Sequence, residues 1–182
     1  MAIKESKIKY LIREYLLEEE ILKKNITDPK LDFGFQFTFP PGIDSKGRHR
    51  GQMMAVFKPK NKKLIIVSLG TQIAEPHVKA LNSLENNKKI QFFMDLRKFF
   101  LLKDVFFRID TQNFRYEISD QRFIKKNGYI SKNSFFKSIR KVFNAAAYSN
   151  MILGECCAGK IKQEDFSKSK DFSSGSNFSL YS

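Results

Sequence analysis

Phe33-Gly34-Phe35-Gln36-Phe37-Thr38-Phe39 carries an aromatic ring at every second position. Successive side chains of a strand point to opposite faces, so this spacing sets all four rings on one side of a sheet. A row of phenylalanines has no polar atom to satisfy and predicts a strand whose ring face is core. Pro40-Pro41-Gly42 ends it, since proline removes the donor the next rung would need. Upstream, Ile8, Leu11, Ile12, Tyr15 and Leu16 recur at spacings of three and four. They predict an amphipathic helix over residues 6–20 with Ser6 as its N-cap. Ile21-Leu22 then leads into a turn at Thr27-Asp28-Pro29.

Downstream, residues 52–58 and 64–69 read as two more strands around the turn Pro59-Lys60-Asn61-Lys62. The unbroken apolar run from Leu64 to Leu69 predicts a strand covered on both faces. Pro76 suits a first helical turn, where its missing N–H costs nothing. A helix over 76–102 follows, continuous or broken near Asn86-Asn87. Residues 105–110 and 114–125 form a hairpin about Thr111-Gln112-Asn113, closed by Gly128. Ser131 caps a last helix whose buried stripe is Phe135, Ile139, Val142, Phe143 and Ala146. The expected fold class is α+β, an antiparallel five-stranded sheet packed on helices, in the order α-β-β-β-α-β-β-α. Residues 1–157 are expected to form one domain. From 158 to 182 the composition turns to Ser, Lys, Asp and Gly, as in a disordered tail.

The 182 residues include 19 Phe and 6 Tyr but no Trp, and they carry a net charge of +14. From Glu155 onward, Lys160, Lys162, Lys168 and Lys170 balance Glu155, Glu164, Asp165 and Asp171, so the excess belongs to the part before the tail. A basic surface attracts phosphates, anionic lipids or acidic partners. An AT-rich genome, which favours Lys, Asn, Ile and Phe, accounts for the same charge. No apolar run approaches the roughly 18 residues that span a bilayer. The start, Met1-Ala2-Ile3-Lys4-Glu5, lacks the apolar core of a signal peptide. Cys156 and Cys157 are adjacent, a spacing that rarely bridges, and no CxxC or CxxH accompanies them. The expected location is therefore a reducing cytoplasm, with no membrane association.

No cofactor or metal is expected, because His77 has neither an HxxxH nor an HxxE partner and His49 stands between two arginines. No GxSxG motif and no phosphate-cradling glycine pattern occurs, so an enzyme is not expected. Two basic segments remain: Arg48-His49-Arg50, and Lys58, Lys60, Lys62 and Lys63 around the next strand end. Their chemistry suits an anion or a nucleic-acid backbone.

Phe35-Gln36-Phe37-Thr38-Phe39-Pro40, the helix entry Glu75-Pro76-His77 and Tyr129-Ile130-Ser131 carry a resemblance. Through them the chain resembles an archaeal family of uncharacterised proteins, a domain of unknown function. Its element order also looks like the type III secretion chaperone fold. Chaperones of that fold dimerise and lay an unfolded partner segment over their helices and sheet. The resemblance implies a homodimer that binds an as yet unidentified protein. The expected function is therefore a non-enzymatic, chaperone-like interaction module; the alternative is a nucleic-acid-binding accessory protein that uses the basic surface.

Overall fold

A computed structural model describes residues 2–42 and 51–158. The elements run α1 (Ala2–Glu18), β1 (Leu22–Asn25), β2 (Leu31–Phe39), β3 (Gln52–Pro59), β4 (Leu64–Gln72), α2 (Glu75–Asn82), α3 (Asn86–Leu102), β5 (Phe106–Asp110), β6 (Arg115–Phe123) and α4 (Lys132–Cys156). The class is α+β, as the sequence predicts, with strand order β1-β2-β3-β4-β6-β5. The sheet has six strands rather than five. The additional one, β1, pairs antiparallel with β2, setting Leu22 opposite Phe37 and Asn25 opposite Phe35. Its sequence, Leu22-Lys23-Lys24-Asn25, has no apolar alternation to betray it, because it is an edge strand with one partner. The long helix does break near Asn86, into α2 and α3. Contacts group the described residues into two compact units: residues 2–42, 51–69 and 119–143 in one, and residues 70–118 and 144–158 in the other.

In the first unit the phenylalanine strand behaves as its spacing dictates. Phe33, Phe35 and Phe37 are buried, and Phe39 meets Phe143 of α4 edge-on with ring centroids 5.4 Å apart. Phe35 lies opposite Val56 and Phe37 opposite Met54 on β3, and both partners are fully buried. Ile8, Ile12, Tyr15 and Leu16 of α1 and Phe135, Ile139 and Val142 of α4 complete this core. α1 begins at Ala2, so Ser6 lies inside the helix and is not its cap. Its acidic end, where the helix dipole disfavours carboxylates, is answered by Lys132. That ammonium lies 2.8 Å from Glu18 and 2.6 Å from Glu19. Glu20 adopts φ 55° as the chain turns out of the helix. The Tyr15 hydroxyl donates to the Ile130 carbonyl at 3.1 Å; burial, then the neighbouring Tyr129, pushes its pKa up to about 12.

The opposite face of the same strands is only partly covered. Gly34 admits the loop before β2, since a Cβ there would stand 2.9 Å from Ile26 Cβ and 3.3 Å from Leu31 Cδ1. On β4, Ile65 and Val67 are fully buried, whereas Leu64 and Ile66 between them are half-buried. The expectation of a strand covered on both faces holds at Val67, Ser68 and Leu69, all buried, and fails at the start of the strand, where one face is only partly covered. Ser131 does cap α4, accepting the Ser134 N–H at 3.2 Å.

In the second unit, α3 buries Phe92, Phe93, Leu96 and Phe100. Phe100 packs against Phe107 of β5 and Tyr116 of β6, with ring centroids 5.4 Å and 5.8 Å away. The Tyr116 hydroxyl pairs with Ser149 at 2.7 Å. The β5–β6 turn is tied by Asp110, which accepts from the Asn113 backbone N–H at 3.0 Å and from Arg115 Nε at 3.0 Å. The Asn113 bonds, more than the Arg115 charge, lower the Asp110 pKa to about 2.

Candidate interaction surfaces

The basic residues expected to bind anions fall into three groups. Arg48, His49 and Arg50 lie outside the described residues. Lys58 is not a surface cation: it is 4% exposed and ion-paired with Asp32. Its position on β3 explains this, because Lys58 stands opposite Phe33 and so shares the face of Val56 and Met54. Desolvating an ammonium there requires a carboxylate beside it. Lys60, Lys62 and Lys63 are exposed, on the tight turn between β3 and β4 where Asn61 takes φ 61°.

That turn lies beside a second basic turn which motif reading missed. The Ile124 N–H donates to the Lys63 carbonyl at 2.9 Å, and so places the end of β6 next to the β3–β4 turn. Lys125 and Lys126 follow at once, exposed, in a turn closed by the Gly128 N–H on the Lys125 carbonyl at 2.8 Å. Phe123, the last residue of β6, is 78% exposed. The available signal was the Phe123-Ile124-Lys125-Lys126 stretch itself, an aromatic at the outward end of an alternating strand followed by two cations.

The buried polar residues do structural work. Asp120 of β6 is 5% exposed. It accepts a hydrogen bond from Ser138, with Lys141 Nζ at 3.0 Å and Arg122 Nε at 2.9 Å. Ser138 is fully buried, so this cluster fastens β6 to α4 and offers no nucleophile to a substrate. His77 is buried in α2, and desolvation lowers its pKa. Its carbonyl faces the Cys157 Sγ at 3.9 Å. Burial, then the neighbouring Cys156, pushes the Cys157 thiol up to about 11, and burial also raises Cys156. Thiols of that kind are poor nucleophiles at neutral pH. Among the described residues no group of three or more His, Cys, Asp or Glu could hold a metal ion. No described helix is long and apolar enough to cross a membrane.

The second unit presents apolar surface to solvent. Ile90, Met94 and Leu101 are spaced four and seven residues apart on one flank of α3 and are exposed. Leu102, 84% exposed, ends α3, and Phe106, also exposed, starts β5 on the face opposite Phe107, the ring that meets Phe100 of α3. Arg97, also exposed, lies on the same flank between Met94 and Leu101 and divides the row, and Lys88, Lys98 and Lys103 are close in sequence. On α4, Tyr148 and Met151 are exposed as well, and Tyr148 stacks on Phe99 with centroids 4.4 Å apart.

No curated protein matches this chain. A crystal structure of an uncharacterized protein from Methanothermobacter thermautotrophicus is similar in fold, with a TM-score of 0.71 at 20% sequence identity. The alignment covers 81% of this chain and 97% of that one. The family model described as an uncharacterized conserved protein, DUF2299, matches residues 8–153, which include every strand and nearly all of the helices, and the chain belongs to that family.

Proposed function

We propose that this protein is a non-enzymatic protein-interaction module that works as a homodimer in the cytoplasm. The observation that carries the reading is the exposed set Ile90, Met94, Leu101, Leu102 and Phe106 in the second unit. Scattered surface leucines need no explanation, but exposed apolar side chains gathered at the end of one helix and the start of the strand that follows it resemble an interface. The two ends of the sheet differ in a way that supports the same reading. β1 is short and carries Lys23-Lys24-Asn25, the kind of edge that discourages pairing. β5, at the other end, reads Phe106-Phe107-Arg108-Ile109-Asp110 and has no further strand beyond it among the described residues. A second copy extending the sheet at β5 would bury Phe106 together with the end of α3. A chaperone-like use, in which the dimer holds an extended segment of another protein, is the finer form of this proposal.

Sedimentation of the full chain at micromolar concentration tests the reading. The expected species has twice the 21.2 kDa chain mass. Leu101→Asp with Leu102→Asp is expected to return it to a monomer with an unchanged melting temperature, since both side chains are exposed. A wild-type monomer, or a dimer indifferent to the two aspartates, would sink the proposal.

A further inference from the structure

We infer that the first unit carries a binding site for single-stranded nucleic acid, built from the β3–β4 turn and the turn after β6. The site uses Lys60, Lys62, Lys63, Lys125 and Lys126 for phosphates and the Phe123 ring for a base. It is a different surface from the apolar row of the second unit and stands or falls separately from the dimer.

Three observations converge on it. First, the hydrogen bond from the Ile124 N–H to the Lys63 carbonyl brings five lysines from two separate turns to one end of the sheet. Residues 59–64 and 121–131 contain no acid, and none of the five ammonium groups has an ion-pair partner among the described residues. Lys58, by contrast, lies on the adjoining strand with Asp32 against it. The Lys60 N–H on the Lys30 carbonyl also sets the Asp28 turn beside the β3–β4 turn, so one carboxylate lies near; five cations on neighbouring turns outnumber it, repel one another and favour an anionic ligand. Second, Phe123 is 78% exposed and has no ring partner among the described residues. In β6, Tyr116 and Asp120 point toward α4, where they meet Ser149 and Ser138. Alternation therefore directs Phe123 to the face of the sheet away from that helix, at the strand end from which Lys125 and Lys126 follow. Third, an aromatic among cations suits an unpaired base stacked on the ring with its phosphates on the ammonium groups. Duplex bases are already stacked, so the ring selects for single strands. The aromatic row at Phe33, Phe35 and Phe37 cannot do this, since it is buried.

Titration of the full chain with a fluorescent oligothymidylate over roughly 50 to 200 mM salt tests the site. If all five lysines meet phosphates, log affinity should fall against log salt with a slope near −3.5, at about −0.7 per contact. Lys62→Ala with Lys63→Ala should flatten the slope by about 1.4. Phe123→Ala should leave the slope unchanged and weaken binding about 5- to 150-fold, the loss of one stacked base. Leu101→Asp with Leu102→Asp, on the other unit, should change neither quantity. Affinity and slope indifferent to all three lysine and phenylalanine substitutions would overturn the inference. So would phosphatidylserine vesicles that bind more tightly than the oligonucleotide and lose that binding in Phe123→Ala, because the surface would then be one for anionic membranes.

Discussion

Phe37→Ala is expected to destabilise the protein by about 3–5 kcal/mol, within the range for a buried phenylalanine truncated in a close-packed core. Phe37 is 0% exposed. It lies opposite Met54 on β3 and Leu22 on β1, so β2 has a neighbour on either side at this point and neither strand can close over the void. Burial of the whole ring is lost, and a cavity is added where the backbone is pinned by two ladders. Urea denaturation followed by circular dichroism reads the effect as a lower midpoint with an unchanged slope. A loss below about 1 kcal/mol would place the ring at the surface, outside the range for a buried site.

Asp120→Ala is expected to cost about as much, roughly 3–5 kcal/mol, for a different reason. Removing the carboxylate takes the acceptor from the Ser138 hydroxyl, which is fully buried, and one anionic neighbour from the partly buried Arg122 and Lys141. Breaking one member of a buried ion cluster costs more than the cluster contributes in net terms, because the remaining groups stay desolvated. Asp120→Asn preserves an acceptor for Ser138 but not the charge, and it should fall between alanine and wild type. Urea titration of both variants checks the order. Equal and small losses, under about 1 kcal/mol, would mean that water screens the cluster as it screens surface pairs.

Those two residues show how unevenly the fold could be read in the sequence. Phe37 announces itself, because period-two alternation of large apolar side chains has few readings besides a half-buried strand. The stripes of α1 and α4 were legible for the same reason at the helical period. Asp120 gave no such sign: its role depends on Ser138 and Lys141, which come from another element. β1 escaped for a related reason, since Lys23 and Lys24 suit an exposed edge and carry no burial pattern. The candidate surfaces divide along the same line. Lys60, Lys62 and Lys63 were visible as a run of charge. Phe123, Lys125 and Lys126 join them only through the Ile124–Lys63 hydrogen bond between strands distant in sequence. Lys58 belonged to the same run, and the pleat turned it inward toward Asp32.

The proposal of a dimer built on β5 meets its most direct test in hydrogen–deuterium exchange of the amides from Phe106 to Asp110, measured at high and low protein concentration. An edge strand that pairs with a second copy protects alternate amides, those facing its partner, and loses that protection on dilution. The expected result is faster exchange at alternate β5 positions in dilute protein, with the β2 and β3 amides unaffected. Exchange along β5 that is independent of concentration, in a sample shown to be dimeric, would contradict the account and place the interface elsewhere.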